Sequence, residues 1–396
     1  MFAGQCLTST AGAISSSGVV ITQFSVQPAA LRQLAQLLDR AREDVDASRK
    51  HLAQIQGFNG GEGIINQLTQ GHQEAYRALD DWLTKLANPT LTAVSQAVTD
   101  AAAYYERTDT GSAERLDGTY PETYVTEIRE HTGYVPIEPP ESTGAFQDVS
   151  DPQQQLSSIK NYREELDGSP DWWDTFSPMV FIGSSLEIVS EVAVWMGLIP
   201  HKIDPQAEIV KPWVGDWAGI RAAADVLRNV GRGLNGVSTN IKWGSQGTEA
   251  VWQGNAGDGA AVFLMNLATP LEQTWQPIDE LAAKYVEASA EMVKLREAVV
   301  GVLNAIGDAA IEAAISAGVA GGSASTGVGV PVAVIAGLFG AYKIYRVVDG
   351  IKEIFGLIGK MDTMIKVVQA AQTKYGTIQN GVRLPALPQS TLTAPK

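Results

Sequence analysis

The chain has 396 residues, with 44 acidic side chains against 29 basic ones and a formal charge of −15. That balance leaves no basic field to displace counterions and argues against a nucleic-acid partner. One cysteine, Cys6, permits no internal disulfide, and residues 1–24 carry neither a charged start nor an unbroken apolar run. Neither a Sec nor a twin-arginine signal is therefore expected, and any export must follow another route.

The first predicted unit spans residues 18–118. Leu31, Leu34, Leu38, Ala41, Val45, Leu52 and Ile55 recur at steps of three and four, interrupted only by Ser48. This spacing predicts a helix with one apolar face. A Gly-rich turn follows at Gly57-Phe58-Asn59-Gly60-Gly61-Glu62-Gly63, and the same period resumes from Ile65 through His72, Trp82 and Leu86, then from Leu91 to Tyr105. Pro89 lacks an N–H donor, so it must either kink this second arm or start a new helix after Asn88.

Residues 119–212 change character. Five prolines between 121 and 152 lie among Glu122, Glu127, Glu130, Glu138, Glu141, Asp148 and Asp151. Such density of proline and acid predicts an extended, solvated connector. It is followed by an apolar helix running through Phe181, Leu186, Val189 and Trp195.

The second unit, 213–300, repeats the first design. Trp213, Trp217, Ile220, Ala224, Leu227, Gly231, Leu234 and Ile241 form one stripe. Ile278, Leu281, Tyr285, Ala288, Met292, Leu295 and Val299 form the other, and Trp252-Gln253-Gly254 marks the turn between them. Pro270 and Pro277 are expected to bend the start of the second arm. Residues 301–378 predict an apolar, Gly-rich helical hairpin with arms near 303–319 and 331–359, either buried against the protein or entering a membrane. Residues 379–396 read as an extended tail. The expected fold class is all-α: two long antiparallel helical hairpins plus a C-terminal apolar hairpin.

Catalytic chemistry is not indicated, and no cofactor or metal is expected. His51, His72, His131 and His201 are scattered, with no zinc-ligand spacing and no Gly-x-Ser-x-Gly elbow. Gly231-Arg232-Gly233-Leu234-Asn235-Gly236 matches the dinucleotide fingerprint by letter, but it sits within a helical stripe with no strand before it. Close helix packing accounts for it better.

Val26-Gln27-Pro28-Ala29-Ala30-Leu31 and Tyr104-Tyr105-Glu106-Arg107-Thr108-Asp109 resemble the EspC-type branch of the WXG helical-hairpin proteins of actinobacterial type VII (ESX) secretion. Gly215-Asp216-Trp217-Ala218-Gly219 through Trp252-Gln253-Gly254-Asn255-Ala256 resembles the WXG hairpins of larger secretion-associated chains. Trp-x-Gly occurs four times, at Trp195, Trp213, Trp217 and Trp252, where about one match is expected by chance, and only the last stands between two long helical patterns. Matches to Tyr-x-x-x-acid include Tyr76/Asp80 and Tyr105/Asp109, and of these two only the second ends a hairpin. The first hairpin has Phe58-Asn59-Gly60 where the family has Trp-x-Gly, and Tyr285 of the second is followed at the fourth place by Ser289.

The resemblance implies interaction residues Tyr105, Asp109, Trp252, Gly254, Phe58 and Gly60, with Tyr105 and Asp109 one helical turn apart on one face. It also implies that Trp252/Gly254 and Tyr105/Asp109 approach each other, each hairpin supplying what the other lacks. Three functions follow. One is a secreted or envelope-associated substrate of the type VII machinery, cytosolic before export. Another is a membrane-active protein using 303–359. The third is a cytosolic chaperone-like or structural partner of another WXG protein, or of a second copy.

Overall fold

A computed structural model describes residues 24–121, 146–167, 186–316 (save 188 and 192) and 338–387. The expectations placed on Cys6, on residues 122–145, on Phe181, on the Gly-rich turn 317–337 and on the tail beyond 387 lie outside the described residues. The protein is all-α. Among the described residues its helices include α1 (Pro28–Leu52), α2 (Thr69–Lys85), α3 (Thr92–Arg107), α4 (Thr110–Asp117), α5 (Trp217–Val251), α6 (Asn255–Ser316) and α7 (Leu338–Gly381). Two short strands, β1 (Ser25–Val26) and β2 (Trp252–Gln253), pair antiparallel.

The counted stripes become the core. Leu31, Leu34, Leu38 and Val45 of α1 are fully buried, as are Ile220, Leu234 and Ile241 of α5 and Ile278, Ala288 and Tyr285 of α6. Helix α1 packs against both α3 and α5, so the two hairpins share one core. Ser48, the one polar residue on the α1 stripe, is buried where a side chain at Gly233 would come within 3.1 Å of its Oγ. The backbones of α1 and α5 pass too closely there for anything larger.

At Pro89 the helix breaks: Asn88 is non-helical (φ −139, ψ 113), and the chain resumes as α3. Pro270 and Pro277 behave differently, because α6 runs through both without interruption from Asn255 to Ser316. Hydroxyls of the neighbouring helix bond α6 carbonyls ahead of both prolines. The Ser245 hydroxyl donates to Ala261 O at 2.7 Å and the Ser238 hydroxyl to Ala268 O at 2.9 Å. The expected division between residues 300 and 301 therefore falls inside one helix of about 93 Å.

Beyond the second hairpin, Leu303, Ile306 and Ala309 of α6 join one core with Ile344, Val347, Val348 and Ile351 of α7. Gly350 lets α7 approach, since a Cβ there would meet Ile306 at 2.7 Å. Among the described residues no helix is long and apolar enough to cross a membrane. Helix α7 then continues to Gly381, well past the expected end at 359, and lies on α2 as well as α6.

The described part of the connector, 146–167, is a packed strap and not a solvated linker. Arg40 holds Asp148 with a bidentate pair and also donates to Phe146 O. Asn240, inside α5, accepts from Val149 N (3.0 Å) and Ser150 N (2.9 Å) and donates to Ser150 O (3.0 Å). The glycines of the false fingerprint make room: a Cβ at Gly236 would meet Ser150 Oγ at 2.9 Å, and one at Gly231 the Trp275 ring at 2.4 Å.

Candidate functional site at the Trp252 turn

Helix α5 ends because Trp252 leaves the helical region (φ −140, ψ 92), and Gly254 reverses the chain at φ +120. Strand β2, formed by this turn, pairs with β1 in the register Val26↔Trp252 and Ser25↔Gln253, and Gln27 N donates to Val251 O at 2.8 Å. The segment leading into α1 is thus stitched to the turn of the other hairpin. Phe24 is buried there, 6.1 Å from the Tyr105 ring.

Trp252 and Tyr105 meet. Their ring centroids stand 5.8 Å apart and nearly perpendicular (76°), the edge-to-face geometry that aromatic quadrupoles favour. Tyr104 adds a third ring 5.6 Å from Tyr105. Tyr105 is only 5% exposed, and burial pushes its phenol well above the usual range, so it is a neutral packing group. Outside this cluster Arg32 of α1 holds Glu106 of α3 in an exposed bidentate pair.

Asp109 does not share a helical face with Tyr105. Helix α3 stops at Arg107, Thr108 is extended (φ −105, ψ 135), and Asp109 becomes the N-cap of α4, accepting from Ser112 N at 3.0 Å. The Ser112 side chain, and after it that backbone bond, hold its exposed carboxyl below the usual range. The one-face expectation fails because it extended the α3 period across a residue that ends the helix. An Asp three places before a backbone N–H is a cap wherever the chain allows one.

The acid that reaches the turn is Asp117, the last residue of α4, which the periodicity had not singled out. Its Oδ2 accepts from Asn255 N and its Oδ1 from Ala256 N, both at 2.9 Å. The first N–H groups of a helix have no partner within it, and Gly254 has no side chain to supply one. Asp117 caps α6 from another element, and Asn255 Nδ2 donates back to Tyr120 O at 3.2 Å. The carboxylate fills the space beside Gly254, where a Cβ would stand 2.5 Å from Asp117 Oδ2. A signal was present in the sequence: Gly254-Asn255 opens a very long helix with no capping side chain before it.

Phe58 and Gly60 lie elsewhere. Tyr285 is 30 residues beyond Asn255 on α6, about 45 Å along the helix. There Phe58 packs on His72 (4.9 Å between ring centroids), and His72 packs on Tyr285 (5.8 Å). The Gly57–Gly63 turn cradles the segment leading into α5, with a Cβ at Gly63 colliding with Val214 O and one at Gly215 with Ile65. Each hairpin's turn therefore grips the lead-in of the other and sets an aromatic near the other's tyrosine. The two ends differ in cover. Gln372 of α7 donates to Tyr285 Oη (3.0 Å) and Leu68 O (3.1 Å), sealing the Phe58 end. At the Trp252 end an apolar groove of about 580 Å³ remains between α3 and α6, lined among others by Ala97, Tyr105, Trp252, Ala260 and Phe263.

Among the described residues no three His, Cys, Asp or Glu side chains are arranged to hold a metal ion. The site offers shape, aromatic surface and one buried carboxylate. Residues 20–118 match the family described as excreted virulence factor EspC, type VII ESX diderm. The first hairpin is thus similar, over that span, to a family of type VII (ESX) excreted proteins. The matched span covers the first hairpin alone. No curated protein and no solved structure matches the chain.

Proposed function

We propose that this chain is a non-enzymatic type VII secretion substrate or secretion-associated protein of the actinobacterial cell envelope, whose export surface is assembled within a single molecule. The contact between Tyr105 of the EspC-type hairpin and Trp252 of the second hairpin carries the reading. An EspC-type hairpin whose own turn holds Phe58-Asn59-Gly60 lacks the tryptophan, and the second hairpin supplies it in cis. On this reading the machinery recognises the turn with its exposed Gln253 and the adjoining groove, not an exposed tyrosine. The protein travels by a non-Sec route and is cytosolic before export.

The test compares culture filtrate with cell lysate in a host with a working type VII system. Trp252→Ala removes the turn aromatic. Ala97→Lys sets a charge in the groove from an exposed position of α3, leaving the core intact. Both are expected to lower export several-fold while the protein accumulates in the lysate. Undiminished export of both variants would dismiss the reading.

One observation favours a self-contained chain over a partner-dependent one: the apolar face of α1 is already covered by α5. The purified protein should therefore run at its own 42.2 kDa mass by sedimentation. Stoichiometric co-purification with a separate WXG-type hairpin would favour the chaperone-like alternative instead.

A further inference from the structure

We propose that Asp117 is a positioning residue for the export surface: its carboxylate latches α4 of the first hairpin onto the N-terminus of α6 and so fixes the Trp252-Gln253-Gly254 turn against Tyr105. The proposal rests on the export reading above.

Three observations converge on this residue. Asp117 is buried (7% exposed), and both of its carboxylate oxygens are spent on consecutive backbone N–H groups, Asn255 and Ala256. A bidentate carboxylate at the positive end of a long helix is the strongest form of capping available to it. Next, the backbone of the turn is shaped around that carboxylate. Gly254 has φ +120 and would push a Cβ into Asp117, while a Cβ at Gly257 would strike Trp252 O at 2.0 Å. Only a chain free of side chains at both places can bring the α6 N-terminus, the Trp252 carbonyl and the carboxylate together.

The third is connectivity. Tyr105 and Asp117 flank the sharp break at Thr108, so the segment 105–117 is held at both of its ends to the same turn, by ring contact at one and by carboxylate at the other. Asp109 fits into this as the N-cap of α4, the eight-residue helix that delivers Asp117. The Tyr/acid pair thus acts inside the molecule: the tyrosine packs on the tryptophan, and the acid starts the helix that carries the latch. Removing the latch leaves Trp252 attached to α5 but frees the start of α6 to fray, and the groove wall formed by Asn255, Ala256 and Ala260 goes with it.

The test uses the full chain with Asp117→Ala, Asp117→Asn and Asp109→Ala. Hydrogen exchange followed by mass spectrometry reports Asn255 and Ala256 separately from the body of α5. Asp117→Ala is expected to speed exchange in the 252–260 peptide on the order of tenfold, the size of a lost N-cap. Peptides within 220–245 should keep the protection of the parent, which a generally unfolded protein would not do. Asp117→Asn retains one acceptor and should fall between the two, and Asp109→Ala should show a smaller effect of the same sign.

Export measured in parallel completes the test. Loss of local protection with a matching several-fold loss of export supports the proposal. Unchanged exchange at 252–260 in Asp117→Ala overturns it, as does faster exchange with full export. If Trp252→Ala and Ala97→Lys still block export in that last case, the export reading stands and only the latch is lost.

Discussion

At the scale of single residues, the site turns on what Gly254 makes possible. Its positive φ is costly for any L side chain, and its Cβ position is occupied by the Asp117 carboxylate. Gly254→Ala is therefore expected to destabilise the protein by roughly 1–3 kcal/mol in urea titrations. Part of that cost is backbone strain and part is collision, and only the collision disappears when Asp117 is shortened. The double variant Gly254→Ala/Asp117→Ala should accordingly be more stable than the sum of the two single losses predicts. Strict additivity would mean that the carboxylate is not what excludes a side chain at 254. The approach of Trp252 to Tyr105 was expected from the resemblance to paired WXG hairpins, and periodicity alone gave no reason for it. Asp109 was misplaced for a reason equally local: helical spacing was carried past Thr108, where the backbone turns extended. Asp117 was invisible to periodicity, since its partners lie 138 and 139 residues away in sequence.

At the scale of elements, stripes are the part of the fold that a one-dimensional pattern reports most directly, and α1, α3, α5 and the later turns of α6 follow them closely. What the pattern misses is whatever polar or imino residues do after packing. Pro270 and Pro277 read as bends at the start of the second arm, and one uninterrupted helix runs through both. Acid and proline at 146–152 read as solvated, yet Asn240 and Arg40 bind that backbone against α5 and α1. The glycines of α5 record this packing and can be tested against glycines that record nothing. Gly231→Ala would place a methyl 2.4 Å from the Trp275 ring and should cost about 1–3 kcal/mol through overpacking. Gly301→Ala meets nothing within 4 Å in the middle of α6, so it should stabilise by about 0.5–1 kcal/mol through helix propensity alone. Thermal melts of the two variants should move in opposite directions. A shift of the same sign in both would show that close approach of α5 and α6 is not what selects glycine at 231.

At the scale of the whole molecule, three separate lengths of chain are joined by one buried polar relay, and it makes stability depend on pH. Leu68 O and Ile55 O can only accept, so the donors facing them are fixed: Gln372 Nε2 donates to Leu68 O (3.1 Å), and His72 Nε2–H to Ile55 O (3.1 Å). That leaves His72 Nδ1 as an acceptor for the Tyr285 hydroxyl (3.1 Å), whose oxygen in turn accepts from Gln372 (3.0 Å). Gln372 ties α7 to α6 and to the start of α2, and the Tyr285 O–H keeps its acceptor only while His72 is neutral. Burial, outweighing the Ile55 carbonyl that favours the charged ring, pushes His72 below its ordinary value of 6.5, and burial lowers His51 as well. Above about pH 6.5 neither the folded nor the unfolded histidine holds a proton, and the shift contributes nothing. Below it the unfolded state binds protons that the folded state refuses, so stability declines as the pH falls from 6.5 toward the depressed folded value. Melting temperature should therefore drop between about pH 7 and pH 5. His72→Gln should lower stability at pH 7, since a ring packed between Phe58 and Tyr285 is lost, yet show a shallower decline with acid because one of the two titrating groups has gone. Parallel pH profiles for the variant and the parent would place the acid sensitivity elsewhere. A shallower one would show that His72, at the sealed Phe58 end, carries part of the acid sensitivity.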